Sequence, residues 1–311
     1  MEEPVKELAV EVVMLHWKWL VSKGCLSLLA ALSLVLFLPG CGEEPPRDER
    51  ISLSLVSGGS GSHYADLALA IAETVNTRST MIKVVPQLSA GPEANLRQLT
   101  SGTTPLAVVT GDLVHYAREN TEMFQDRPME ADFLPLARLD LEPLVILFRE
   151  DSSITEISGL EGRRISLGKG GSRTQILSQK LLLCLGFDMD KASILYLEEG
   201  EALRYLGEDR LDAAFLLAPN PGDLIGAGST RYLPLLPQGP LAEALPFLTV
   251  APSPFQPEEW SRDLLLPAVP VILAASERLD GDILEELIRS LRGSPFLLLP
   301  PWGGPSPPEE G

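Results

Sequence analysis

The sequence predicts an α/β protein built as two tandem lobes with a ligand cleft between them. Three observations lead there. Strand and helix signals alternate through most of the chain, the alternation is laid out twice, and each half carries a Gly/Ser-rich loop between a strand and a helix.

Taken in order, Ile51-Ser-Leu-Ser-Leu-Val56 alternates apolar and polar residues, as a half-buried strand does. Tyr64, Leu67, Ile71 and Val75 then repeat at helical spacing. Met81 to Val85 reads as a second strand, closed by Pro86. Pro92 can open a helix, where its missing N–H costs nothing, and Gly102 can end it. Leu106 to Val109 is a third strand, and Asp112 can cap the helix that follows. The series then restarts. Pro143 to Phe148 and Arg164 to Gly168 read as strands, and a helix runs from about Ser172 to a stop signal at Gly186. Ser193 to Leu197, Leu211 to Leu217 and Tyr232 to Leu236 supply further strands. A return segment follows, with Val269 to Leu273 as strand and Gly281 to Leu291 as helix, expected to pack back on the first lobe.

The ends read differently. Lys18 and Lys23 precede an apolar run, Leu26 to Phe37, that closes at Leu38-Pro39-Gly40-Cys41. A positive flank, a short hydrophobic stretch and small residues before a cut site describe a signal peptide. The run falls short of the ~20 residues that cross a bilayer comfortably. Its ending resembles the lipobox of bacterial lipoproteins, which makes Cys41 the expected lipid anchor; the other reading is an uncleaved anchor helix. The expected organisation is therefore a signal peptide over 1–40, a lipidated Cys and polar tether over 41–50, and lobe 1 over 51–142. Lobe 2 covers 143–245, a return segment completing lobe 1 covers 246–292, and a disordered Pro-rich tail covers 293–311.

Composition excludes several functions. The net charge is −18, from 25 basic and 43 acidic side chains, which argues against nucleic acid as a partner. An acidic surface still permits an anionic ligand in a recess lined by backbone N–H groups. Beyond Cys25 and Cys41 only Cys184 remains, at an apolar helix end, so neither a disulfide framework nor a Cys-based metal site is expected. His63 and His115 are the histidines left after the signal segment, too few for a His-rich metal site or a Ser–His catalytic set. His115 reads as structural, whereas His63 follows the first loop and is open to either role. The run Glu198-Glu-Gly-Glu201 reads as a solvated helix start. No cofactor and no enzyme activity are expected.

The two loops carry the functional signal. They are Ser57-Gly-Gly-Ser-Gly-Ser62 running into His63-Tyr64, and Gly168-Lys-Gly-Gly-Ser-Arg-Thr174. Glycine lets backbone approach a ligand, and the helix that follows offers unpaired N–H groups and a positive dipole end. A carboxylate or similar anion is the natural guest. A single loop of this kind is often a plain connection; two at matching places suggest a ligand clasped between lobes. Neither loop fits a nucleotide-binding or nucleophile-elbow motif.

The chain resembles the TAXI group of receptors serving TRAP transporters. The likeness runs over about residues 51–290 and rests on Ser57-Gly-Gly-Ser-Gly-Ser-His-Tyr64, Ser89-Ala-Gly-Pro-Glu-Ala-Asn-Leu-Arg97 followed by Leu99-x-Ser-Gly102, Gly111-Asp112, and Leu160-x-Gly-Arg-Arg-Ile-Ser-Leu-Gly168 with Gly171-Ser-Arg-Thr174. Leu211-Asp-Ala-Ala-Phe215 with Pro219-Asn-Pro221 completes it. The resemblance implies a type-2 periplasmic binding-protein fold, a small organic acid or amino acid in the cleft, and TRAP membrane subunits as partners. Carried over by position, Gly59, Ser60 and Tyr64 would line one wall, with Ser89, Asn95 and Asp112 adding polar contacts. Ser172 and Thr174 would hold an anionic end from the other lobe, and Asn220 would close the pocket. Arg173 stands where the family usually has Gly, open to pairing with a carboxylate or to pointing into solvent. Thr110, Gly111 and Ala218 to Pro221 also depart from the family pattern. Expected alternatives are a ligand sensor, a scaffold of the same fold that has lost its ligand, and, with least support, an exported enzyme.

Overall fold

The structure, a computed structural model, describes residues 48–129, 132–149, 151–217, 230–233, 239–252 and 265–298. The expectations for the signal segment, Cys41, Asn220 and the end of the Pro-rich tail lie outside the described residues. Arg50–Gly311 forms one compact unit.

The first half begins β1 (Ile51–Val56), α1 (His63–Arg78), β2 (Ile82–Gln87), α2 (Pro92–Thr100), β3 (Leu106–Thr110) and α3 (Gly111–Glu119). The second half contains β5 (Arg164–Ser166), α4 (Arg173–Cys184), β6 (Ser193–Leu195), α5 (Glu199–Gly207) and β7 (Ala213–Leu217). Between the halves runs β4 (Phe133–Arg149). After them come β8 (Thr230–Tyr232), α6 (Pro240–Ala244), β9 (Thr249–Pro252), β10 (Leu265–Ser276), α7 (Gly281–Leu291) and β11 (Leu297–Leu298).

Strands follow one another in the order β2-β1-β3-β10-β4-β7-β5-β6. β1 is parallel to β2 and β3, and β5 is parallel to β6 and β7, as β-loop-α connections require. β10 and β4 run antiparallel through the middle. β4 changes partner part-way: Phe133 to Pro143 pair with β10, and Leu144 to Phe148 pair with β7. One strand thus belongs to both halves, and its changeover lies beside Glu142.

Each half has apolar packing on both sides of its strands. In the first, Leu53, Ile71, Val75 and Val108 meet Leu273 and Leu287 on one side, while Val56, Leu96, Val109 and Leu113 pack on the other. In the second, Ile146, Phe148, Ile165, Leu181 and Phe215 pack on one side and Val145, Leu206 and Leu216 on the other. Leu273 of β10 and Leu287 of α7 lie in the first half's core.

Several sequence expectations need correction. Pro86 does not close β2 but lies inside it, opposite Leu55, and the strand expected from Tyr232 is instead Thr230–Tyr232. The strand over Pro143 to Phe148 is the last third of a 17-residue strand. Its earlier part carries the alternation of a half-buried strand, with Arg138, Asp140 and Glu142 between apolar residues, and lies ahead of the span expected from sequence. Asp112 does not cap α3; Thr110 occupies the N-cap position without a side-chain bond, because β3 runs straight into the helix. The Pro-rich end is ordered at its start: Phe296 is buried in the first core, and Leu297 and Leu298 pair with Arg138 and Ala137 of β4.

Candidate functional site

Both Gly/Ser loops are built alike. Ser62 is the N-cap of α1 and its hydroxyl accepts the Ala65 N–H at 3.3 Å; Ser172 is the N-cap of α4 and accepts the Gln175 N–H at 3.2 Å. A side-chain cap of this kind fixes where each helix starts and how its free N–H groups point. Glycine suits several points of these loops: Gly61 has φ +71° and Gly171 φ +77°. A Cβ on Gly58 would lie 2.5 Å from Ser62 Oγ, and one on Gly168, whose φ is +95°, would lie 2.8 Å from Thr174 Cβ.

The helix starts meet across the halves. Arg173, the first residue of α4, reaches Asp112 in the first turn of α3: Nε donates to Oδ2 at 2.7 Å and Nη2 to Oδ1 at 3.0 Å. This is the two-pronged geometry that a planar guanidinium offers a carboxylate. Nη2 also lies 2.9 Å from Glu142 Oε2, and Nη1 donates to the Tyr64 hydroxyl at 3.1 Å. Tyr64 in turn donates to Glu142 Oε1. Asp112 is fully buried, Glu142 nearly so, and the Arg173 side chain is 16% exposed. Two carboxylates and one cation therefore share an almost dry site.

Electrostatics follow from that arrangement. Burial works against the charge on Arg173, but Asp112 and Glu142 outweigh it and hold its pKa well above the ordinary value. Burial and the nearby Glu142 raise Tyr64, so its hydroxyl stays protonated and serves as a donor. Beside this cluster, His63 Nε2 sits 2.7 Å from Asp140 Oδ2. The Asp140 carboxylate, which accepts from the imidazole, raises His63 despite partial burial.

The ten expected site residues are distributed unevenly. Tyr64, Asp112 and Arg173 meet in the cluster. Gly59 and Ser60 are exposed on the first loop. Ser89 serves its own turn, its N–H bonding Gly58 O at 3.0 Å and its hydroxyl accepting Gly91 N–H at 3.1 Å. Asn95 is buried and its amide donates to the carbonyls of Ser57 and Val108, stapling the first loop to β3. Ser172 is engaged as a cap, and Thr174 packs under Gly168. Asn220 lies outside the described residues.

Sequence reasoning missed Glu142, and its signal was an acid standing alone in Leu141-Glu-Pro-Leu-Val145. Gly111 has a packing cause: a Cβ there would lie 2.7 Å from Pro270 Cγ. Among the described residues, no group of three or more His, Cys, Asp or Glu side chains is placed to hold a metal ion. No helix among them is long and apolar enough to cross a membrane.

A second contact line joins the halves along one face of α4. Ile176, one turn after Arg173, packs against the core group that contains Leu96 and Leu113. Lys180, a turn further on, pairs with Glu122 at 2.7 Å, and its Nζ lies 5.6 Å from the Tyr116 ring centroid. Residues three and four apart share a helix face, so α4 lays a single stripe on the first half.

This architecture is the fold of periplasmic binding proteins. A TctC solute-binding protein from Polaromonas matches with a TM-score of 0.52 and 17% identity, over 78% of this chain and 82% of that one. The periplasmic aliphatic sulphonate binding protein SsuA from Escherichia coli matches with a TM-score of 0.51 and 15% identity, over 77% and 67%. A probable amino-acid ABC transporter extracellular-binding protein from Bacillus subtilis matches with a TM-score of 0.50 and 13% identity, over 78% and 91%. The family is given by sequence: the chain belongs to the NMT1-like family, whose model matches residues 55–226.

Proposed function

We propose that this chain is an extracytoplasmic solute receptor, not an enzyme, that takes a small organic anion in its cleft and delivers it to a TRAP-type membrane transporter. One observation carries the reading. Two loops, each ending in a serine that caps a helix, converge from opposite halves on one buried charged site through Tyr64 and Arg173. Helix starts with free N–H groups favour anions, and the carboxyl edge of an α/β sheet is where such folds bind ligands. The amino-acid and sulphonate descriptions of the structural neighbours agree with a small charged solute. The TAXI resemblance supports TRAP subunits as partners, and Cys41 is the proposed lipid attachment.

A second reading has an observation of its own: the cleft is already bridged by Arg173, Asp112 and Glu142. A scaffold that has lost its ligand and holds itself closed would look the same. The two readings separate by thermal unfolding of Arg50–Gly311 against a panel of amino acids, dicarboxylates, keto acids and sulphonates. A solute that binds only the folded state adds about 2.7 kcal/mol at a hundredfold excess over its dissociation constant. A rise with one class, lost in a Ser172→Ala, Thr174→Val double variant, supports the receptor. No response across the panel, from protein freed of carried-over solute, overturns it.

A further inference from the structure

We infer that Asp112, Glu142 and the Tyr64 hydroxyl form a subsite for a planar cation, which Arg173 of the same chain occupies here, and that the solute displacing it carries a guanidinium or amidinium group. For its ligand this rests on the receptor reading and narrows it, from any small organic anion to an acid that also carries a guanidinium or amidinium; the subsite itself does not depend on it.

Geometry and charge point the same way. Both oxygens of Asp112 engage the Arg173 fork at 2.7 and 3.0 Å, a match that a tetrahedral ammonium cannot reproduce. The site sets two acidic side chains, Asp112 and Glu142, against one guanidinium. Its polar capacity is also unspent. Glu142 Oε2 is buried and accepts no hydrogen bond, although Arg173 Nη2 is 2.9 Å away. Tyr116 Oη, one turn after Asp112, and Thr110 Oγ1, at the N-cap of α3, are buried without a hydrogen-bond partner.

Exchange chemistry then selects the solute. Arg173 spends three of its five N–H groups on Asp112 and Tyr64, all within the cluster. An anion or neutral molecule that pushed Arg173 aside would strand two buried carboxylates without a counter-charge, a strongly unfavourable state. A second guanidinium conserves charge and hydrogen bonds while one leaves and the other enters. A carboxylate elsewhere on the same solute remains free to meet the helix N-termini.

The test is chemical rescue. Arg173→Ala is unfolded thermally with methylguanidinium, methylammonium or urea at about 10 mM, far below denaturing strength. Methylguanidinium is expected to restore several degrees of the lost melting temperature, methylammonium much less and urea nothing. Wild type should not respond to methylguanidinium, and adding Asp112→Asn should abolish the rescue. Equal responses to the three additives, or the same shift in wild type, overturn the subsite. Should Arg173→Ala fail to accumulate folded, Arg173→Met keeps the stem volume and takes its place.

A second arm uses wild type with guanidino acids, amidines and dicarboxylates. Selective stabilisation by guanidino or amidino acids, which carry the carboxylate that methylguanidinium lacks, supports the ligand class. Stabilisation by dicarboxylates alone overturns that class and leaves the receptor reading standing. Rescue of the variant, with no solute stabilising wild type, supports the subsite and sinks the receptor reading.

Discussion

Arg173 of α4 and Asp112 of α3, 61 residues apart in sequence, join the two halves of the fold through a two-pronged ion pair at 2.7 and 3.0 Å. Asp112 is fully buried and Arg173 mostly so, hence solvent screens the pair little. Replacing Asp112 with Asn should leave the guanidinium facing Glu142 alone. A loss of about 3 kcal/mol is expected in urea denaturation, typical of breaking a buried pair from one side. Adding Arg173→Met should deepen the loss, because Glu142 is then buried without its counter-charge. A double-variant cycle with no coupling would contradict the geometry.

Gly111 lets α3 begin directly beneath β10. A Cβ at that position would come within 2.7 Å of Pro270 Cγ and 3.0 Å of Cδ, and a proline ring cannot swing aside. Gly111→Ala should therefore cost about 1–3 kcal/mol by overpacking, even though alanine is the better helix former. Pro270→Ala in the same chain should return most of it. Equal stability of Gly111→Ala and wild type in chemical denaturation would show that this approach is not tight.

The His63–Asp140 pair makes stability depend on pH in a defined direction. Asp140 raises His63 in the folded state, so this contribution is fully present below the unfolded value of about 6.5 and fades as pH climbs through the folded pKa. For Asp140, burial would raise the pKa, but the hydrogen bonds from His63 and the Leu141 N–H prevail and lower it. Its share is present above about 3.9 and fades as pH falls through the folded pKa. The pair thus contributes most between these limits. Asp140 is 40% exposed, so screening keeps the effect below about 1 kcal/mol. Stability profiles from pH 5 to 9 should show wild type losing this increment on the alkaline side while His63→Gln does not.

What the sequence revealed was local. Ser62, Ser172, Gly102, Gly186 and the span of α7 announce themselves within a few neighbours, because caps, stops and amphipathic faces are short-range effects. The cluster was hidden for the opposite reason. Tyr64, Asp112, Glu142 and Arg173 come from four elements and acquire meaning only when β4 and β10 bring the halves together. Arg173 was noticed as a departure, yet its partners were not nameable from spacing. Asn95 misled in the other direction: a polar residue beside a binding-type loop proved to be a backbone staple. Glu142 was passed over because an acid in an apolar run looks like a strand ending when its partner is 31 positions further on.

The α4 stripe leads to a prediction about shape. Arg173, Ile176 and Lys180 each touch the first half, so contacts within the chain itself hold the cleft shut. Small-angle scattering of wild type without solute should therefore already fit a compact particle, and a saturating solute should change the profile little. Arg173→Ala combined with Lys180→Glu should shift the ensemble toward an open form with a larger radius of gyration. Ile176→Ala alone should cost about 1 kcal/mol, less than a fully buried isoleucine, because Ile176 is only half buried. A ligand-free wild type that scatters as an open particle, and contracts on binding, would assign closure to the solute and leave the ion pairs as its consequence. Superimposable profiles for wild type and the double variant would instead show that these contacts do not set the opening of the cleft.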